Sequence, residues 1–208
     1  MRDAAWWTAC ATDFLTACVN QFPNAPAPLR QSILLSMSVG QLETSLGDAW
    51  PGSFNIGAVQ LRSLTSDEHA RFMSGALKAG DSLPDHSGVL HVDTHPPGIP
   101  YPVWFAAFPT RQAGAAYFLK TLDRLSASEW ASPTATPSSL ATAMYVHHFY
   151  EGRHVDDRPW MPARTLPLTP PEQANVEDYA AGIARCLAMV TAGCSEWPYG
   201  AAPSTTDT

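Results

Sequence analysis

The stretch from Ser32 to Gln60, SILLSMSVGQLETSLGDAWPGSFNIGAVQ, decides the fold of this chain. With helical positions spaced at about 100° per residue, its first half carries one apolar stripe and further apolar residues on the opposite flank. A helix that is apolar on two sides is normally buried between other elements. We therefore predict a central buried helix over 29–46, a turn-rich loop over 48–55 and a short strand over 56–61.

One carboxylate, Glu43, lies at the C-terminal end of this helix. It shares a strip of the helix surface with small residues, which are Ser32, Ser36, Gly40 and Gly47. Small residues beside an acid leave space for a ligand, but they also let two helices approach closely, and an acid at a helix end is often solvated. The strip alone leaves both interpretations open.

The composition is that of a globular chain. Its 208 residues are 45% hydrophobic and 10% aromatic, which suits one domain with a sizeable core. The net charge is −7 and basic residues do not cluster, so we expect no nucleic-acid partner. No apolar run suits a membrane span. Asp3 and Asp13 interrupt the first residues, so we expect synthesis in the cytoplasm without a Sec signal.

Periodicity and capping residues define the other elements. We predict helices over 4–22, 65–77, 111–125, 139–148 and 172–192. The runs VLHVDTH and YPVWFAAF, joined by PPGIP, predict a two-stranded hairpin. Mostly helix with one small β element is typical of an α+β domain.

We expect a single domain over 1–197, with a small β-lobe at about 88–108 and a flexible tail over 198–208. The four cysteines form two pairs, and the members of each pair are eight residues apart: Cys10 with Cys18, and Cys186 with Cys194. If the first and last helices are antiparallel, Cys10 would lie opposite Cys194, and Cys18 opposite Cys186. Four reduced core cysteines are the alternative that we favour.

Three segments, in this order, resemble the lysozyme-like hydrolases of bacterial cell walls. QLETSLG (41–47) with NIGAVQ (55–60) is similar to a motif in which a helix-end Glu precedes an Asn-x-Gly-Ala-x-Gln-like turn. The hairpin with FAAFPT (105–110) resembles the β-lobe of these enzymes, and LATAMY (140–145) with FYEG (149–152) resembles a segment lining their cleft. The resemblance is closest to the N-acetylglucosaminidase branch and more distant to the lytic transglycosylases, and the order of the segments is its most specific feature.

The resemblance implies a lysozyme-like fold and cleavage of a β-1,4 bond next to an N-acetylated amino sugar in peptidoglycan, without a cofactor. Glu43 would be the general acid, with its pKa raised by desolvation, and Asp93 matches the position of the β-lobe carboxylate. The implied substrate-binding residues are Asn55, Gln60, Tyr145 and Tyr150. An N-acetyl group of the substrate could replace the second carboxylate. The chain departs from the family where Phe108 and Phe149 stand in place of tyrosines.

Two other functions remain open. The first is an inactive lysozyme-like module that binds the cell wall or serves as a structural part of a phage or injection particle. The second is a zinc-dependent hydrolase, because His91, Asp93 and His95 alternate along one face of a strand. Further candidate zinc ligands are His147, His148, His154 and Asp156. We favour the peptidoglycan hydrolase, delivered to the wall by a route such as a phage particle.

Overall fold

The structure of the chain is a computed structural model that describes residues 2–24, 30–49, 53–95, 98–150 and 164–195, without the side chains of 93–95. Within these residues it has six α-helices and one three-stranded antiparallel sheet. The predicted class, α+β and mostly helical, is therefore confirmed. The elements are α1 (Ala4–Gln21), α2 (Arg30–Thr44), β1 (Gln60–Ser63), α3 (Ser66–Met73), β2 (Gly88–His95), β3 (Ile99–Ala106), α4 (Arg111–Leu125), α5 (Pro137–Val146) and α6 (Pro170–Gly193).

Helix α2 is buried on nearly all sides, as its two apolar flanks predict. The side chains of Ile33, Leu35 and Val39 are fully shielded from solvent. Its neighbours are α1, α4 and α6. The buried hydroxyls of Ser36 and Ser38 donate to carbonyls of the preceding helical turn, which satisfies these two polar groups within the core.

Helix α2 ends at Thr44, earlier than predicted, because the next three residues reverse the backbone. Ser45, Leu46 and Gly47 have φ of 54°, 59° and 87°. A left-handed non-glycine residue costs about 1–2 kcal/mol, so this turn persists only if its surroundings hold it. Leu46 is fully buried, and the Thr44 hydroxyl donates to the carbonyl of Ile56 and accepts from the N–H of Gly47.

The predicted short strand and the predicted hairpin join in one three-stranded sheet. β2 and β3 form the predicted hairpin, with Asp93 opposite Tyr101. β1 begins at Gln60 rather than at 56 and pairs with the other edge of β3, which gives the order β1-β3-β2. Ile56 lies fully buried in the turn before β1, where it contacts Gly40 of α2. Burial against a helix, and not strand pairing, explains the apolar residue at this position.

Polar caps set the starts of the other helices. Thr110 accepts from the N–H of Ala113, and α4 has its predicted bounds. Thr136 forms a capping box with Ser139, so α5 begins at Pro137 and is shifted by one half-turn towards the N-terminus.

Helix α3 ends at Met73, short of the predicted 77, and a turn with φ of 76° at Gly75 follows it. The predicted tail over 198–208 lies outside the described residues.

All four cysteines are free thiols, which is the state that the sequence favours. The Sγ of Cys194 lies 3.8 Å from the carbonyl oxygen of Trp7 rather than next to a second sulfur. Burial raises the pKa of Cys10 to about 12 and that of Cys18 to about 11. The thiolate is the reactive form of cysteine, so the raised pKa makes Cys10 and Cys18 unreactive, as expected of core residues.

No helix in the described part of the chain is long and apolar enough to cross a membrane.

The approach of α4 to the turn before β1 gives a stability prediction. A Cβ added at Gly114 would lie 2.0 Å from the carbonyl oxygen of Phe54, which is backbone and cannot swing away. We expect Gly114→Ala to lower the free energy of unfolding by about 1–3 kcal/mol in urea titrations. Lys120→Ala, at an exposed position of the same helix, is the control and should change it by less than about 0.5 kcal/mol. Equal stability of the two variants would contradict the close approach.

Candidate functional site

A cavity of about 420 Å³ lies between the C-terminal end of α2, the middle of α6 and Tyr150. Its apolar wall includes Leu42, and its polar lining consists of Glu43, Tyr150, Asn175, Asp178, Tyr179 and Arg185. The small residues of the α2 strip do not line this cavity, because Gly40 packs against Ile56 and Leu46 in the core.

One face of α6 builds the far wall of the cavity. Asn175, Tyr179 and Gly182 are spaced at i, i+4 and i+7, which places them on the same side of the helix. Gly182 brings the backbone of α6 close to α2, because a Cβ at this position would lie 3.1 Å from both methyl carbons of Leu42. The glycine thus sets how near the polar groups of α6 come to Glu43.

Glu43 is bound by a tyrosine of α6. The hydroxyl of Tyr179 donates a hydrogen bond to Oε1 of Glu43. Burial raises the pKa of Glu43, and the bond from Tyr179 offsets part of that increase. Burial and the neighbouring carboxylate raise the pKa of Tyr179 well above its usual value, so this hydroxyl keeps its proton. The cavity therefore contains a carboxyl group that holds its proton to higher pH than an exposed glutamate does.

Tyr150 fixes the tyrosine that binds Glu43. Its ring stacks on that of Tyr179, with 3.9 Å between the centroids and 8° between the planes. Its hydroxyl donates to the carbonyl of Ala141 at 3.2 Å, which anchors it to α5. Tyr145 is fully buried behind this pair, and its hydroxyl accepts from Nδ2 of Asn175 at 3.3 Å. Two of the predicted tyrosines therefore belong to the site, one as lining and one as support.

Asn55, a predicted binding residue, lies outside the cavity and holds the turn before β1. Its Nδ2 donates to the carbonyls of Val59 at 2.9 Å and Ala106 at 3.0 Å, and its Oδ1 accepts from the N–H of Val59 at 2.8 Å. The side chain is fully buried. Since both amide hydrogens and the oxygen bind backbone, the role of Asn55 in this structure is to join the turn to β3.

The other predicted residues occupy the sheet. Gln60 is exposed at the start of β1, opposite Phe105, and does not line the cavity. The backbone of Asp93 lies in β2, and its side chain is outside the described residues. The structure thus brings Glu43 and Tyr150 together and leaves Gln60 apart from them.

The alternative zinc site involves the same hairpin. His91 is partly buried, with its ring edge-on to Phe105 at 5.0 Å between centroids. Among the residues that the structure describes, no group of three or more His, Cys, Asp or Glu side chains is arranged to hold a metal ion. The side chains of Asp93 and His95, and all of His154 and Asp156, lie outside that part of the chain. The zinc site stays a prediction.

Sequence reasoning missed the contribution of α6. Its apolar periodicity, with Val176, Ile183 and Val190 buried, identifies the face towards the core. The neighbouring strip of Asn175, Tyr179 and Gly182 is polar and small, like the strip that carries Glu43 on α2. A strip of this kind beside an apolar stripe is the sequence signal that could have predicted the contribution of α6 to the cavity.

No protein-family model, curated protein or solved structure matches this chain. The function of the cavity therefore has to be inferred from its own residues and their geometry.

The role of Asn55 can be tested through stability. Asn55→Ala removes three hydrogen bonds, which leaves the N–H of Val59 without this acceptor and the carbonyl of Ala106 without this donor. We expect a loss of about 2–3 kcal/mol in the free energy of unfolding, because unmet buried polar groups are costly. Gln60→Ala is the matched control and should be within about 0.5 kcal/mol of the wild type, since Gln60 is exposed. A fully stable Asn55→Ala variant would contradict the structural role.

The bond between Tyr179 and Glu43 can be tested by NMR titration of the Glu43 side-chain carboxyl. The bond lowers the pKa of Glu43, so we expect Tyr179→Phe to raise that pKa further. Tyr117→Phe removes an exposed hydroxyl of α4 and should leave the pKa of Glu43 unchanged. An unchanged or lower pKa in Tyr179→Phe would show that this hydroxyl does not stabilise the carboxylate.

Proposed function

We propose that the protein is a peptidoglycan hydrolase of lysozyme-like fold that cleaves a β-1,4 bond next to an N-acetylated amino sugar, with Glu43 as the general acid. The observation that carries this proposal is the position of Glu43 at the wall of a cavity, hydrogen-bonded to Tyr179 and with its pKa raised by burial. A general acid needs a pKa near the working pH, and burial moves a glutamate in that direction. The resemblance of the 41–60 segment to the cell-wall hydrolases supports peptidoglycan as the substrate on which Glu43 acts.

The geometry assigns the two oxygens of Glu43 different tasks. Oε1 accepts the hydrogen bond from Tyr179, so the proton to be transferred resides on the other oxygen. That oxygen would protonate the leaving glycosidic oxygen as the sugar develops oxocarbenium-like charge. When the carboxylate forms, the Tyr179 hydroxyl bond becomes charge-assisted and stabilises it. Tyr179 therefore promotes proton transfer without itself reacting.

The second half of the reaction needs a nucleophile or a stabiliser for the positive sugar. We assign this task to the acetamido group of the substrate, whose oxygen bonds to the anomeric carbon as the glycosidic bond breaks and the leaving oxygen takes the Glu43 proton. Water then opens this cyclic intermediate, and the Glu43 carboxylate accepts the proton of the water. Asp178 is the other carboxylate in the described lining of the cavity, and its position on α6 would let it orient that acetamido group. Tyr150 lines the cavity, where its side chain could contact a bound sugar.

The deciding experiment compares the wild type with Glu43→Gln on isolated peptidoglycan, with soluble fragments identified by mass spectrometry. We expect the variant to release fragments at least roughly 100-fold more slowly, as for loss of a general acid. Glu177→Gln, an exposed acid of α6 outside the cavity lining, is the control and should retain full activity. A reducing N-acetylglucosamine end identifies a glucosaminidase, and an anhydro end identifies a transglycosylase.

Stability measurements separate a catalytic loss from misfolding in this experiment. Because the pKa of Glu43 is raised in the folded state, ionisation of this residue lowers stability as pH rises from its unfolded towards its folded pKa. The amide of Glu43→Gln cannot ionise, so the variant should be at least as stable as the wild type at neutral pH. Equal fragment release by both proteins would refute the role of Glu43. No release by the wild type, together with binding to the insoluble wall, would identify a non-catalytic module.

A further inference from the structure

The end of α2 that carries Glu43 is bound by Arg2, which precedes α1. The guanidinium of Arg2 donates to Oε1 of Gln41 at 2.8 Å, to the carbonyl of Ser45 at 2.9 Å and to Oδ2 of Asp48 at 2.7 Å. These three acceptors lie on both sides of Glu43 in the chain. One side chain thus connects the last turn of α2 to the loop after it.

Two further groups hold this arginine in place. The ring of Trp6 lies against it, with the Cζ of Arg2 3.9 Å from the ring centroid. Arg111 of α4 lies 5.0 Å from the centroid of the same ring, and its Nη2 is 3.9 Å from Oδ1 of Asp48. Asp48 is therefore shared between two arginines. We call Arg2, Trp6, Asp48 and Arg111 the helix-end clamp.

The clamp acts where the backbone is strained. Ser45 and Leu46 are non-glycine residues in the left-handed region, and they follow Glu43 almost directly. Such conformations persist only where the surroundings over-determine them. Arg2 binds the carbonyl of Ser45, the first of these residues, and its positive charge complements the negative end of the α2 dipole.

We propose that Arg2 is a positioning residue for Glu43, because it fixes the strained turn that keeps this carboxyl in the cavity and in contact with Tyr179. The catalytic consequence rests on the proposed function, whereas the effect on the position of Glu43 does not. Without the clamp, the turn after Thr44 relaxes towards ordinary helical or extended backbone. Glu43 then leaves its contact with Tyr179 and gains solvent.

The direct test is an NMR titration of the Glu43 carboxyl in Arg2→Ala. Solvation removes the larger effect, by which burial raises the pKa, and loss of the Tyr179 bond removes the smaller effect, which lowers it. We therefore expect a net decrease towards the pKa of an exposed glutamate. Loss of the Arg2 charge alone would act in the opposite direction or not at all. The titratable groups that line the cavity around Glu43 are Tyr150, Asp178, Tyr179 and Arg185, and the substitution leaves all of them in place.

The second readout is the rate of fragment release from peptidoglycan. We expect Arg2→Ala to lower kcat by roughly 10- to 100-fold with little change in KM, as for a displaced catalytic group. Arg2→Lys should recover only part of the rate, because an ammonium cannot bind all three acceptors as the planar guanidinium does. Arg62→Ala, which breaks the ion pair between Arg62 of β1 and Glu68 of α3, is the matched control and should leave both readouts unchanged.

The outcomes are distinguishable. An unchanged pKa of Glu43 in a folded Arg2→Ala variant overturns the positioning role, whatever the activity. If the pKa of Glu43 is lowered in Arg2→Ala but the wild type releases no fragments, the result supports the clamp and refutes the proposed function. If Arg2→Ala does not fold, Arg2→Gln provides the same test, because its shorter neutral amide cannot bind all three acceptors and its loss of charge again opposes the expected decrease.

Discussion

The reversal of the backbone after Thr44 is the constraint on which both parts of the molecule depend. It ends the buried helix, delivers Leu46 into the core and turns the chain towards the sheet. The Thr44 hydroxyl binds the carbonyl of Ile56, and Asn55 next to it binds β3, so the helical core and the sheet share one junction. Local strain at this turn is compensated by burial and hydrogen bonds that come from distant segments.

The same junction explains why the acid is where it is. Glu43 lies in the last turn of α2, and the other faces of this helix pack against the core. Its side chain therefore points towards α6, where Tyr179 binds it. A buried carboxyl opposes folding once it ionises, and the stacked tyrosines recover only part of that cost. Residues at functional sites commonly lower the stability of the fold in this way, because they are selected for function rather than for stability.

Sequence patterns predicted what depends on local periodicity and capping. The buried helix with Glu43, the hairpin and the Thr110 cap follow from spacing and residue type. The left-handed turn at 45–47 did not, because Ser45 and Leu46 have no local preference for it and long-range contacts impose it. The partner of Glu43 was missed for the same reason, since Tyr179 reaches it through helix packing. The family resemblance predicts that Asn55 binds substrate, and residue type alone does not distinguish this role from the observed one, because an amide can bind a sugar or the backbone equally well.

The site joins residues that are remote along the chain, because Glu43 and Tyr179 are 136 positions apart. A fragment that stops before α6 would contain the acid and lack the wall of the cavity, so no short segment of this chain can carry the complete site. The two halves meet through an apolar helix interface with a glycine at its centre, at Gly182. The environment of the acid therefore exists only when both halves of the chain are packed together.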